Sequence, residues 1–195
     1  MLNIVILGAG FAGLEIATQL DELSASANIV LIDKSDRFSV GGLHQLILDG
    51  RLENPEHLYR LYKNLKLKNV KFIQAEVTAV VPKEGRVETT AGNFNYDELV
   101  VCTGMVAKIE AFKGLSEVAH NMCSLDATLS LREKLLSITH GRIVVSIVKP
   151  PYKCPPSPYE WAFTIDNILR ERGVRERGVV LGRLGILELT DLCEQ

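Results

Sequence analysis

Apolar positions recur along this chain in two different periods. Leu2–Leu7 is a nearly unbroken apolar run, and Asn28–Ile32 is another, closed by Asp33. Short continuous runs bounded by turn signals predict strands buried on both faces of a parallel sheet. Between them, Ala12–Leu23 places Leu14, Ala17, Thr18 and Leu20 near one face of a helix. The chain therefore opens as strand, helix, strand. Lys34–Gly42 reads as a loop and Leu43–Leu48 as a short helix. Pro55 suits the first turn of a helix running to about Leu67, with Leu58, Leu61, Tyr62 and Leu65 at helical spacing.

From Val70 the pattern shortens. Val70–Ala75, Val77–Val81, Arg86–Thr90 and Asn93–Phe94 predict short strands that make a β-meander over about residues 70–96. Asp97–Cys102 returns as a core strand and ends at Thr103-Gly104. Ser124–Thr139 has helical spacing and stops at Gly141, after which Arg142–Val148 reads as a second long apolar strand. Lys149–Pro158 holds five of the seven prolines, which predicts a stiff, non-helical loop. Pro158 opens a helix to about Arg172, and Arg175–Leu181 reads as a last strand. The expected architecture is α/β. A doubly wound, parallel, Rossmann-like domain with a meander insertion covers residues 1–112, part of a second Rossmann-like domain covers 113–181, and 182–195 is an atypical tail.

Composition narrows the function classes. The 195 residues are 47% hydrophobic and 24% charged with a net charge of −2, so no basic footprint for nucleic acid is present. No apolar run reaches the roughly 18 residues of a membrane-spanning helix. Met1 runs straight into the first strand, which leaves no room for a cleavable leader and predicts a cytoplasmic protein, or one at the cytoplasmic face of a membrane. Cys102, Cys123, Cys154 and Cys193 form no Cys-x-x-Cys pair and lack the histidine spacing of a zinc site, so no metal is expected. His44, His57, His120 and His140 are likewise scattered.

The clearest chemistry lies at the first turn, Gly8-Ala9-Gly10-Phe11-Ala12-Gly13. Gly8 permits a sharp turn out of the strand, Gly10 lets backbone approach a pyrophosphate, and Gly13 allows close helix–strand packing. The helix N-terminus, starting at Phe11 and Ala12, turns its unpaired N–H groups toward that anion. Asp33 lies about 20 residues beyond Gly13, where a carboxylate can accept from a ribose hydroxyl, with Lys34 beside it. The alternative is a tight strand–helix turn with no ligand.

Together, Ile4–Gly13, Asp33, Leu99–Gly104, Cys123 and Tyr152–Glu160 resemble the flavoproteins with two dinucleotide-binding domains. The likeness is strongest to sulfide:quinone oxidoreductases and flavocytochrome c sulfide dehydrogenases, with type II NADH dehydrogenases as more distant kin. It covers most of residues 1–181. The resemblance implies an FAD-binding first domain, with the AMP half of the cofactor at Gly8–Gly13 and Asp33. It further implies that backbone near Val77 lies by the adenine and Thr103-Gly104 by the pyrophosphate and flavin. It implies that Cys154 lies by the flavin ring and exchanges with sulfide, that Cys123 is a further family cysteine, and that Glu160 moves protons. Lys153, next to Cys154, suits thiolate stabilisation. Read from the residues alone, Glu160 is equally a favourable acid in a first helical turn. Cys102 is a small core hydrophobe, and Cys193 an incidental thiol.

The turn that would take a nicotinamide in the second domain, Val148–Cys154, has no glycine. NADH is therefore disfavoured as donor, and sulfide, or another small sulfur donor, with a quinone acceptor is the expected reaction. The resemblance also implies later segments that this chain lacks: a Gly-Asp segment on the flavin, a cysteine partner for Cys154, and terminal helices that meet membrane and quinone. A truncated form is expected, with weakened FAD binding, exposed sheet edges that favour self-association, and activity reduced or lost. Two other readings stay open. One is a catalytically dead nucleotide-binding remnant acting as a binding module, and the other is a type II NADH dehydrogenase-like enzyme.

Overall fold

The structure is a computed structural model that describes residues 1–23, 26–149, 152, 154–177 and 179–182. It forms two compact units. One is made of Met1–Ser39 and Tyr59–Val106, the other of Val40–Leu58 and the residues from Ala107 onward.

The first unit is built on a four-stranded parallel sheet. Its elements are β1 (Leu2–Leu7), α1 (Phe11–Leu23), β2 (Ala27–Asp33), β3 (Arg37–Ser39), β4 (Tyr59–Leu61), β5 (Val70–Gln74), β6 (Val77–Val81), β7 (Arg86–Thr89), β8 (Gly92–Asn95) and β9 (Glu98–Val101). The sheet order is β5-β2-β1-β9. Ile4 lies opposite Ile29 and Leu7 opposite Ile32 across β1 and β2, and β9 runs parallel on the other side of β1. Alternation within a strand sends successive side chains to opposite faces. Ile4, Ile6, Ile29 and Leu31 pack toward α1 with Ala17, Leu14, Ile16 and Leu20. Val5, Leu7, Val30 and Ile32 pack on the other face with Val87, Val77 and Phe94 of the meander β6-β7-β8. Both faces are covered, which is why Ile4–Leu7 and Ile29–Ile32 are apolar at every position. Thr18 is the exception on α1; it is exposed and its hydroxyl donates back to the Leu14 carbonyl at 2.8 Å.

Several elements of this unit differ from their sequence reading, and the expected loop Lys34–Gly42 contains β3. Val70–Gln74 is not part of the meander. It pairs in parallel with β2, from Ile29↔Val70 to Asp33↔Gln74, because its apolar residues reach both faces: Val70 and Phe72 join the α1 side and Ile73 the other. The expected helix from Pro55 to about Leu67 is replaced by 3-10 turns at Pro55–Leu58 and Tyr62–Asn64 flanking β4. Its backbone finds a non-local partner instead, since Tyr59, Arg60 and Leu61 pair antiparallel with Ser39, Phe38 and Arg37. Tertiary pairing of this kind overrides a helical spacing of four residues.

The second unit contains α2 (His44–Leu48), α3 (Leu115–Val118), α4 (Leu125–Ser137), α5 (Ser157–Glu171) and the parallel pair β10 (Gly141–Val144) and β11 (Val179–Gly182). Its core joins Leu48, Leu135, Trp161, Ile165, Ile168, Leu169 and Val174. Ser124 caps α4 by accepting from the Ala127 amide at 3.4 Å. At the other end Arg172 donates to the carbonyls of Leu135 and Ile138. Arg132 does the same for the Ile47 carbonyl at the end of α2. β10 is shorter than the expected Arg142–Val148, its ladder ending at Val144↔Gly182. The expected strand over Arg175–Leu181 begins instead with a 3-10 turn at Arg175–Arg177, where Arg175 Nε is bound by Asp166 at 2.6 Å. Among the described residues no helix is long and apolar enough to cross a membrane.

Candidate functional site

The turn between β1 and α1 is held in place by contacts from three sides. Gly8 has φ +93°, and its amide donates to the Ile32 carbonyl at 2.7 Å. A Cβ at Gly8 would stand 2.5 Å from the Cys102 carbonyl oxygen, and one at Gly13 would run into the carbonyl oxygen of Gly8. These two glycines are demanded by the protein's own packing. Gly10 is different: a Cβ there meets nothing within 4 Å. The space beside Gly10 is open, and close backbone approach from outside is what an absent side chain at that position permits. The helix begins at once, with the Leu14 amide donating to the Gly10 carbonyl at 2.9 Å. No acidic side chain stands in the first turn of α1, so its N–H groups and partial positive charge remain suited to an anion.

Ala9, between the first two glycines, is wholly buried. Its amide donates to Asp33 Oδ2 at 2.7 Å, and its carbonyl accepts from the Tyr62 hydroxyl at 2.7 Å. Asp33 sits at the carboxyl end of β2, and its Oδ1 accepts from the Ser35 amide at 2.8 Å. A carboxylate has about four lone-pair sites, so two backbone donors fix its orientation and leave capacity for ribose hydroxyls. Tyr62 packs against Phe72 with ring centroids 4.6 Å apart. Burial, with the charges of Asp33 and Asp36, pushes its phenol well above the usual tyrosine range, so it remains a hydrogen-bond donor.

The other expected nucleotide residues lie in the same unit. Phe11 and Ala12 are exposed in the first turn of α1, and Phe11 meets Phe38 edge-on at 4.8 Å. Lys34 is exposed beside Asp33. The Cys102 amide donates to the Leu7 carbonyl at 2.7 Å, and its side chain packs partly buried in the core as expected. Thr103 and Gly104 follow it, both exposed, with Gly104 at φ +67°. Val77 is half-buried at the start of β6, opposite Thr89, with a bulge between it and Ala79. The arrangement suits a dinucleotide: an open glycine and a helix start with no acidic side chain for the phosphates, and a fixed carboxylate for a ribose.

Cys123, Cys154 and Glu160 belong to the second unit. Cys123 and Cys154 are exposed, free thiols. The Cys123 amide is held by Asn121 Oδ1 at 3.0 Å, and the Cys154 carbonyl accepts from the Ser157 amide at 3.1 Å, just ahead of α5. Glu160 is exposed in the first turn of α5, where its Oε2 accepts from Gln45 Nε2 at 3.1 Å. Among the described residues no three His, Cys, Asp or Glu side chains gather as a metal site. Pro150, Pro151, Lys153 and Cys193 lie outside the described residues.

Two participants escape the sequence reading. Ser35 enters only through its backbone amide. Tyr62 carried one signal, a hydroxyl inside an apolar segment, which has to find a partner when buried; what it could not reveal is that the partner is 53 positions upstream.

Two known families match stretches of this chain. A family described as "Pyridine nucleotide-disulphide oxidoreductase" matches residues 2–146. One described as "Sulfide dehydrogenase [flavocytochrome c] flavoprotein chain, central" matches residues 128–191. A type II NADH:quinone oxidoreductase of Staphylococcus haemolyticus is 34% identical over 132 residues, 66% of this chain and 33% of that protein. The sulfide:quinone oxidoreductase of Aquifex aeolicus superposes with a TM-score of 0.82 at 24% identity, covering 93% of this chain and 43% of that one. NDH2 of Plasmodium falciparum, solved in complex with NADH, gives 0.69 at 17% identity over 88% of this chain and 38% of that one. The two structures share the fold. The chain spans about a third of the length of the curated relatives it matches.

Proposed function

Since the chain belongs to the pyridine nucleotide-disulphide oxidoreductase family, whose members are FAD-binding flavoproteins, we propose that it binds FAD at the β1–α1 turn and serves a sulfide:quinone type of oxidoreduction. The observation that carries the cofactor site is the open space at Gly10 beside a carboxylate fixed by two backbone amides. In this reading Gly8, Gly10, Phe11, Ala12 and Gly13 line the pyrophosphate, and Asp33, with Lys34 beside it, takes the adenosine ribose. Backbone at Val77 and at Thr103-Gly104 completes the cradle. When bound, FAD supplies a two-electron acceptor that a quinone can reoxidise.

Cys154 is the sulfur assigned to the donor. Thiol–disulfide exchange requires it to be bridged to a second sulfur. Cys123 is the candidate on this chain, and since both thiols are free in the structure the bridge would first form by two-electron oxidation, with bound FAD as the oxidant and the thiol protons released to solvent. Hydrosulfide attacks one sulfur of the bridge, forming a new S–S bond, and the other sulfur leaves as thiolate. Glu160, exposed near the start of α5, takes up the proton released. The match of residues 128–191 to the sulfide dehydrogenase family and the superposition on a sulfide:quinone oxidoreductase support this donor. A second reading, with NADH as donor, is favoured by the 34% identity to a type II NADH:quinone oxidoreductase.

Anaerobic mixing of the FAD-loaded chain with each donor separates them. Loss of flavin absorbance with sulfide, abolished in Cys154→Ser while FAD stays bound, is the result expected. Bleaching by NADH but not by sulfide would transfer the assignment to the second reading. No response to either donor, with FAD bound, would leave a nucleotide-binding module.

A further inference from the structure

The proposal here rests on the nucleotide site above and concerns a residue outside the Gly-rich segment. The peptide joining Ala9 to Gly10 carries the Ala9 carbonyl on one side and the Gly10 amide on the other, since a trans peptide is planar and directs the two groups oppositely. The Ala9 carbonyl is taken by the buried Tyr62 hydroxyl at 2.7 Å. The Ala9 amide is taken by Asp33 at 2.7 Å. Both polar groups of this wholly buried residue are thus fixed by side chains, one from the end of β2 and one from the turn after β4. The Tyr62 ring is itself seated on Phe72, and its amide donates to the Asp36 carbonyl at 3.0 Å, so the hydroxyl has little freedom to swing away.

We propose that Tyr62 is a positioning residue for nucleotide binding: by holding the Ala9 carbonyl inward, its hydroxyl turns the Gly10 amide outward, toward the open side where a pyrophosphate approaches. The amide is then aimed before the ligand arrives, so binding does not have to reorient it. The raised phenol keeps the donor protonated alongside two carboxylates, and the space beside Gly10 lets the anion come close. Without the hydroxyl, the Ala9 carbonyl loses its buried partner and the peptide can rotate, which costs affinity for phosphate and none for the nucleoside.

The test compares ADP with adenosine as probes, on the full chain. Tyr62→Phe keeps the ring on Phe72 and removes one oxygen. The expected result is a Kd for ADP raised about tenfold, the effect of one misaligned charge-assisted hydrogen bond, with the Kd for adenosine unchanged. Phe72→Leu, which loosens the ring packing and keeps the hydroxyl, should raise the ADP Kd by less than Tyr62→Phe does. A measurement on the wild-type chain needs no variant: the Gly10 amide proton resonance should shift downfield on adding ADP and stay in place on adding adenosine. Equal ADP binding by Tyr62→Phe, parallel loss of ADP and adenosine, an ADP defect in Phe72→Leu as large as in Tyr62→Phe, or a Gly10 resonance indifferent to ADP would each overturn the assignment to Tyr62. Failure of the wild-type chain to bind either ADP or FAD would instead remove the nucleotide site, and Tyr62 with it.

Discussion

Gly10 and Gly13 sit three residues apart in one turn, yet their substitution by alanine should fail in different ways. At Gly13 the added Cβ collides with the carbonyl oxygen of Gly8. That atom belongs to backbone held by the Ile32 carbonyl, so it cannot yield like the end of a flexible side chain. Overpacking of a tight contact costs about 1–3 kcal/mol, and Gly13→Ala should lower the urea midpoint accordingly. At Gly10 nothing lies within 4 Å of the new methyl and φ is outside the left-handed region. Gly10→Ala should therefore leave stability unchanged, or raise it by up to about 1 kcal/mol by restricting the unfolded chain. Its penalty falls on the ligand. A methyl that holds the pyrophosphate off the backbone forfeits at least one charge-assisted hydrogen bond, ~1.5–3 kcal/mol, or about 10- to 150-fold in Kd. Urea denaturation and FAD titration by flavin fluorescence, run on both variants, give the two numbers separately. An unchanged FAD Kd in Gly10→Ala, or a stability loss matching that of Gly13→Ala, would refute the reasoning.

Asp33→Ala removes the acceptor of the buried Ala9 amide as well as the ribose partner, so it should both weaken FAD binding and cost about 1–3 kcal/mol in denaturation. Arg172→Ala strips the Leu135 and Ile138 carbonyls of their donor and should destabilise the second unit by a similar ~1–3 kcal/mol, a loss that Arg172→Lys, with one compact ammonium, should only partly restore. Trp161 is the sole tryptophan and is buried with Leu135, so its fluorescence reports unfolding of this unit; Leu135→Ala should move that transition by about 2–5 kcal/mol. The side-chain bonds from Arg170 and Arg175 hold the Asp166 carboxyl below its ordinary value of 3.8. A depressed folded-state value means the stabilisation is present above pH 3.8 and is lost as pH falls from there through the folded-state value. Asp166→Asn should flatten the acid limb of the tryptophan transition in that window and leave its slope near neutrality unchanged.

The nucleotide turn is legible in sequence because its requirements are local. Gly8 answers a left-handed turn and Gly13 the Gly8 carbonyl five residues back, although Gly8 also meets the remote backbone of Cys102, and Asp33 follows at the distance one helix and one strand impose. β1 and β2 are legible for a related reason: burial on both faces writes itself as the apolar stretches Ile4–Leu7 and Ile29–Ile32. The signal weakens where a partner is remote. Val70–Gln74 looks like any short strand, and only the presence of β2 beside it makes it a sheet strand instead of the start of the meander. Tyr62 had helical neighbours in sequence, and pairing of Tyr59–Leu61 with Arg37–Ser39 set its actual conformation. Cys123 and Cys154, 31 positions apart (154 − 123), carry no pattern in sequence that tells whether they meet. In the structure both stand free.

The proposed cofactor site rests on the open glycine and the fixed carboxylate. Titration of the cofactor-free chain with FAD, followed by competition with ADP, tests it most directly. Binding should saturate at one FAD per chain and be displaced by ADP, because both occupy the Gly8–Gly13 turn and Asp33. An FAD titration that never saturates, or bound FAD that excess ADP leaves in place, would contradict the proposed site.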